Sequence, residues 1–295
     1  MEIENYHLNQ GDHSMKKKAK RLLIILSAAI LLNVIMNICG NALKTEYYSI
    51  TTDKLTEPVR IVFISDLHNC IYRGSDQSRI MERIQSEQPD LILFGGDVID
   101  FQGGTAHALR LMELAKDCAP CAYAAGNHEG MRKDTQSFYA DIDQLGIPIL
   151  NGAYTDITLK GQKIRICGIV DAIGYPNQLE TVCQAPDSNS YSILLAHQPE
   201  QLNTITEEAQ KYGLSFDLVL AGHAHGGQWR IPKLLEQGLY APDQGILPEF
   251  TGGIRELDST AQIVSRGLAK PLRMILIPRI FNRPELSVID IVPEA

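Results

Sequence analysis

The sequence predicts an α/β domain with a mixed, two-sheet core, preceded by a single membrane-spanning helix. Three observations carry this. From residue 59 onward, short β-branched and apolar runs alternate with segments of helical spacing. Two-sided alternation flanks Lys160-Gly161-Gln162, the pattern of a hairpin. Near the start, an uncharged apolar run from Leu22 to Cys39 follows Lys16, Lys17, Lys18, Lys20 and Arg21.

That apolar run has eighteen residues, the lower length for crossing hydrocarbon, and Asn33 and Asn37 weaken it. A buried core helix normally carries a polar face, whereas Leu22 to Leu32 offers only Ser27. A cleaved signal is the rival reading, with Gly40-Asn41-Ala42 as a small-residue cleavage site. Basic residues dominate before the run and are sparse after it, so the positive-inside rule puts the leader in the cytoplasm and the main domain outside, on a single-pass cell-membrane protein. The expected divisions are a basic leader over 1–21, an anchor over 22–43, a linker over 44–57 and one domain over 58–295.

Within that domain, Val59 to Ser65 reads as a buried strand. A helix follows over Arg79 to Gln88, spaced by Ile80, Met81 and Ile84 and closed by Pro89, and then a strand over Asp90 to Gly95. Further helices are expected at Ala106 to Lys116 and Gln136 to Leu145, around a strand at Ala119 to Ala125. The hairpin covers Asp156 to Ile169, and strands are expected at Tyr191 to Ala196, Phe216 to Ala221, Gln262 to Ser265 and Ser287 to Val292. Leu234 to Phe250 mixes apolar residues with glycine and proline, as either a loop dipping toward a bilayer or an insertion packed on the core. The net charge of −8 argues against a surface built to neutralise nucleic-acid phosphates. Six cysteines at irregular spacing, one of them Cys39 in the apolar run, imply no disulfide framework; Cys118 and Cys121 lead into a strand and read as structural.

The chemistry sits at strand ends. Every expected buried strand from 59 to 225, the hairpin aside, terminates in metal-capable residues: Asp66 and His68, Asp97 and Asp100, Asn127 and His128, His197, then His223 and His225. Singly, each has a plainer explanation as a turn residue or helix cap. Five coinciding strand ends do not, and in open α/β sheets such positions converge on one crevice. Carboxylates, imidazoles and an amide without thiolate suit divalent manganese, iron or zinc. The set is too rich for one catalytic ion and fits two ions sharing a carboxylate about 3.5–4 Å apart. His107, in a helical stretch, and His7 and His13, in the leader, fall outside it.

The blocks SDLH, GGDVID, GNHE, the AHQP histidine and GHAHGG occur in the order seen in calcineurin-like metallophosphoesterases, which the chain resembles over about residues 66–225. Its N-terminal helix, GHAHGGQWRIP stretch and SRGL and RPEL elements resemble the membrane-anchored branch. The expected architecture is a four-layer α-β-β-α sandwich. Position by position, the resemblance implies that Asp66, His68 and His225 hold one metal, that Asn127, His197 and His223 hold the other, and that Asp97 bridges. It gives His128 the catalytic role and Asp100 that of orienting its ring. The arginine some relatives carry soon after the second block is absent, since Phe101-Gln102 follow Asp100. The expected reaction is in-line hydrolysis of a phosphomonoester or phosphodiester by a metal-bridging hydroxide, with His128 as proton donor. The substrate class expected from anchoring is a membrane or cell-envelope metabolite, lipid-linked esters included. Two other functions fit the same residues: a pyrophosphatase acting on a nucleotide-linked lipid precursor, and a scaffold that binds metal or phosphate without turnover.

Overall fold

The computed structural model describes residues 2–40, 42–72, 74, 76–185, 190–270 and 279–294, with the side chains of residues 2–15 and 36–39 outside the description. His7, His13 and the Cys39 thiol fall among those side chains. The leader and the apolar run form one helix, α1 (Glu2–Gly40). Among the described residues, no helix is long and apolar enough to cross a membrane. This overturns the expected anchor and, with it, the single-pass cell-membrane location with the main domain outside. The apolar stretch that begins at Leu22 is interrupted by Ser27 and Asn33, whose polar groups lower its preference for hydrocarbon. Extending the stretch backward meets Arg21, Lys20 and Lys18. Leu22, Ile25 and Leu32 are exposed, so the described side chains of this apolar stretch stay outside the core.

Residues expected as linker instead begin with strand β1 (Lys44–Thr52). Its tyrosines and threonines alternate between exposed and covered faces, an edge-strand pattern that a polar composition disguised. Next come β2 (Val59–Ile64), α2 (Ser78–Glu87), β3 (Leu91–Gly95), α3 (Ala106–Lys116), β4 (Cys121–Ala124), α4 (Asn127–Gly130) and α5 (Thr135–Gln144). The expected hairpin is β5 (Ala153–Leu159) and β6 (Gln162–Ile169), followed by α6 (Pro176–Cys183), β7 (Tyr191–Ala196), α7 (Leu202–Gln210) and β8 (Leu218–Ala221). A short ribbon, β9 (Tyr240–Ala241) and β10 (Gly245–Ile246), precedes β11 (Gly253–Leu257), β12 (Thr260–Val264) and β13 (Glu285–Pro293).

Two mixed sheets result, in the orders β1-β13-β2-β3-β4 and β11-β12-β8-β7-β6-β5. Because successive strand residues face opposite sides, β2 sends Ile61 and Phe63 into a core shared with Ile193 and Leu195 of β7 and Leu218 and Leu220 of β8. Its alternate residues Val62 and Ile64 pack with α2 and α3 through Ile80, Ile84, Leu111 and Met112. On the far side, Leu194 and Val219 pack with Leu179, Leu202 and Ile205 of α6 and α7. Helices therefore cover the outer faces of two sheets that share an inner core, as expected. Cys118 and Cys121 are free thiols, the latter buried. Within the Leu234 to Phe250 stretch, Ala241 and Phe250 are seated against Ala221, Ala224 and Val264, while Leu234, Ile246 and Leu247 are exposed.

Candidate metal centre

Strands β2, β3 and β4 are mutually parallel, as are β7 and β8, so each set delivers its carboxyl ends to one edge. There the turns are laced together. Asp66 N–H donates to Gly96 O at 3.0 Å and His68 N–H to Asp97 O at 2.9 Å. The second sheet joins through Gly222 N–H to His197 O at 3.0 Å and His223 N–H to Asp66 Oδ1 at 2.9 Å. Glycine is required at Gly96, where φ is +87° and a Cβ would lie 2.7 Å from both the Gly126 backbone and His197 Nδ1.

All nine side chains expected at the site come to this edge. Asp97 Oδ2 lies 3.2 Å from His197 Nε2, 3.8 Å from His68 Nε2 and 3.7 Å from His128 Nε2. Asp66 Oδ1 lies 3.7 Å from His197 Nε2 and 3.9 Å from His225 Nε2. Asp66, His68 and His225 form one group able to hold a cation, and Asp97, His197 and His223 another, each offering ligand atoms within 4.8 Å of one another. His68, Asp100 and His128 make a third such group. Asn127 opens α4 between Gly126 and His128, whose N–H donates to Asp97 Oδ1 at 2.9 Å. His107 joins none of these groups.

Two observations show that this donor set fits divalent cations. Asp66 Oδ2 and Asn127 Oδ1 are buried without a hydrogen-bond partner, a cost of roughly 1–3 kcal/mol each that a bound cation would offset. Five of the expected ligands, Asp66, His68, Asp97, His223 and His225, also hold left-handed backbone with φ between 47° and 64°, which costs a non-glycine residue about 1–2 kcal/mol. Such strain persists where surrounding structure enforces it, and it gathers at functional sites.

The electrostatics follow from burial and close pairing. Burial alone would raise the Asp97 carboxyl, but the neighbouring His197 reverses this and holds it well below the carboxylate range. Burial disfavours His197 as a cation, yet Asp97 more than compensates and lifts it to about 10. Burial likewise opposes ionisation of Asp66, and His225 and His197 bring it back down. Burial depresses His68 and His223, and pushes His225 down to about 3. Without metal, the Asp97–His197 pair therefore retains a proton at neutral pH that a cation must displace. Metal uptake is expected to release this proton, with apparent affinity rising about tenfold per pH unit for each proton displaced. The rise should run from neutral pH to about 10, where His197 loses its proton unaided. Calorimetric titration in buffers of different ionisation enthalpy measures it.

His128 differs from the buried imidazoles, since 23% of its side chain is exposed. Its Nδ1 lies 2.6 Å from Asp100 Oδ1, and Phe101 packs beside the ring at 5.4 Å between centroids. Arg132 donates to the carbonyls of Asp100 at 2.6 Å and Gly103 at 3.2 Å, bracing this loop.

The sequence profile of calcineurin-like phosphoesterases matches residues 59–227, more than half of the chain. The chain belongs to the calcineurin-like phosphoesterase family. The metallophosphoesterase YkuE of Bacillus subtilis is 30% identical over 232 residues, covering 75% of this chain and 77% of that protein. The phosphodiesterase YaeI of Escherichia coli is 28% identical over 247 residues, covering 80% and 83%. YpbG of Bacillus subtilis is 28% identical over 219 residues, covering 73% and 80%.

The calcineurin-like site also contains residues whose roles no spacing or motif announces. Glu129, inside the GNHE block, is fully buried, and its carboxylate accepts from the backbone N–H groups of Asp97 at 2.8 Å, Gly126 at 2.9 Å and Ile99 at 3.1 Å. It thereby ties the turns after β3 and β4 together. Glu129→Ala would strand three buried donors and is expected to destabilise the fold by about 3 kcal/mol or more, read as a lowered urea midpoint. Arg279 Nη2 lies 3.2 Å from His225 Nδ1, and Asn282 Nδ2 donates to His225 O at 2.7 Å. The nearby RPEL block was the only signal for them. Asp243 Oδ2 lies 2.8 Å from His223 Nε2, from a loop that carried no spacing signal at all.

Proposed function

We propose that this chain is a metal-dependent phosphoesterase that holds two divalent cations, manganese, iron or zinc, in the edge crevice and hydrolyses phosphodiesters in preference to monoesters. The observation that carries this is the gathering of carboxylates, imidazoles and an amide around Asp97, with oxygen lone pairs of Asp66 and Asn127 buried and unsatisfied. In this reading Asp66, His68 and His225 hold one cation, Asn127, His197 and His223 hold the other, and Asp97 reaches both. Held by these residues, divalent cations would supply an activated water at neutral pH and would neutralise charge building on phosphorus. The phosphodiesterase activity named for the Escherichia coli relative favours the diester.

The chain's own contribution is orientation and a proton. Asp100, at 2.6 Å from His128 Nδ1, fixes the ring and stabilises its charged form, leaving Nε2 to deliver a proton to the departing alkoxide. With Phe101-Gln102 after Asp100 and no arginine there, phosphate charge falls to the cations and His128. The test uses the purified full chain with and without manganese, on bis-p-nitrophenyl phosphate and p-nitrophenyl phosphate. Metal-dependent release with the larger kcat/KM on the diester is expected. No release from either substrate at saturating metal overturns the proposal in favour of binding without turnover.

A further inference from the structure

His223 is nearly buried and sits in left-handed backbone at the end of β8, with one ring nitrogen already engaged. Its Nε2 lies 2.8 Å from Asp243 Oδ2. A carboxylate at that distance accepts the Nε2 proton, so a neutral ring keeps its lone pair on Nδ1.

The loop that presents Asp243 is fastened to the very turn that carries His223. Ala241, at the root of the β9–β10 ribbon, is buried against Ala221, Ala224 and Val264. Leu239 N–H donates to Gly227 O at 2.9 Å. Gly238 and Gly227 approach so closely that a Cβ on Gly238 would lie 2.3 Å from Gly227 O. At the tip, Asp243 has φ of 57°, and the Gln244 amide bonds the Phe250 backbone as donor at 3.0 Å and acceptor at 3.1 Å. A carboxylate held against a histidine in this way, while its own side chain stays 59% exposed, contributes little to the core. Its work lies at the ring.

We infer that Asp243 is a positioning residue of the metal centre: it holds His223 in the Nε2-protonated tautomer and so presets Nδ1 as ligand for the cation shared with Asp97 and His197. This rests on the two-cation reading of the site. Carboxylates that orient a metal-bound imidazole strengthen metal affinity about 10- to 100-fold. Glu200, whose Oε2 is buried without a hydrogen-bond partner, lies close enough to His223 and Asp243 to form a further candidate group. Direct ligation by Asp243 is therefore the competing role.

The experiment titrates manganese into the full-length wild type, Asp243→Asn and Asp243→Ala, counting bound ions by elemental analysis after equilibrium dialysis. Nitrogen-15 histidine spectra of the metal-free proteins report the tautomer. The wild type is expected to bind two ions and to show His223 protonated at Nε2. Asp243→Ala should weaken one ion about 10- to 100-fold, leave the other unchanged and mix the tautomers, at an unaltered melting temperature. Asp243→Asn, which keeps an acceptor oxygen, should fall between. Wild-type affinity for both ions in Asp243→Ala overturns the inference while leaving the two-cation reading intact. So does equal weakening of both ions, or a third wild-type ion lost in the variant. A wild type that takes up no metal overturns the two-cation reading and this inference with it.

Discussion

Asp97→Asn is expected to abolish measurable turnover and to lower metal affinity by roughly two to three orders of magnitude. Asp97 is 1% exposed, and its two oxygens do different work. Oδ1 accepts the His128 N–H at 2.9 Å, while Oδ2 faces His68, His128 and His197 between 3.2 and 3.8 Å. An asparagine that keeps the bond from His128 must turn its amide NH2 toward the imidazoles, where it has no lone pair to give a cation. The charge is lost as well, and removing one member of a buried charged pair costs about 3–5 kcal/mol, or about two to three and a half decades at 1.4 kcal/mol per tenfold. The proton that metal displaces should also be lost, because His197 is held protonated chiefly by this carboxylate. Elemental analysis beside kcat/KM on bis-p-nitrophenyl phosphate checks all of this. Wild-type metal content and rate in the variant would remove Asp97 from the centre.

What the sequence disclosed about the fold followed from burial on both faces. Strands β2, β3, β7 and β8 are continuous apolar runs because each sheet packs helices on one side and the other sheet on its other side, and such runs are visible without coordinates. β1 escaped because an edge strand with one open face reads as polar linker. The apolar run in α1 was legible as hydrophobic, but among the described residues no helix is long and apolar enough to cross a membrane. At the site, residues immediately beyond a buried strand were legible because topology alone sends them to one edge. Glu129 and Asp243 were not, for different reasons. Glu129 acts on backbone N–H groups of other turns, contacts that leave no spacing in the chain. Asp243 reaches His223 only because a ribbon some twenty residues later folds back onto Gly227.

His128→Ala should separate chemistry from metal binding. The ring stands at the exposed rim of the centre, its Nδ1 committed to Asp100 at 2.6 Å, and its removal takes away none of the six other side chains proposed as ligands with Asp97. Metal content is therefore expected to stay at the wild-type level. Loss of a positioned proton donor lowers kcat by about 10²- to 10⁴-fold, with the larger loss on substrates whose leaving alkoxide is most basic. A p-nitrophenolate leaves without much help, so the defect should be smaller on bis-p-nitrophenyl phosphate than on an alkyl diester. Asp100→Asn should reproduce part of the effect, since the amide still orients the ring but no longer stabilises its charge. Measuring kcat for both variants on an aryl and an alkyl diester, with metal counted in each, decides the matter. Equal losses on both substrates would assign His128 to phosphate binding, and loss of metal would make it a ligand, drawn in through its group with His68 and Asp100.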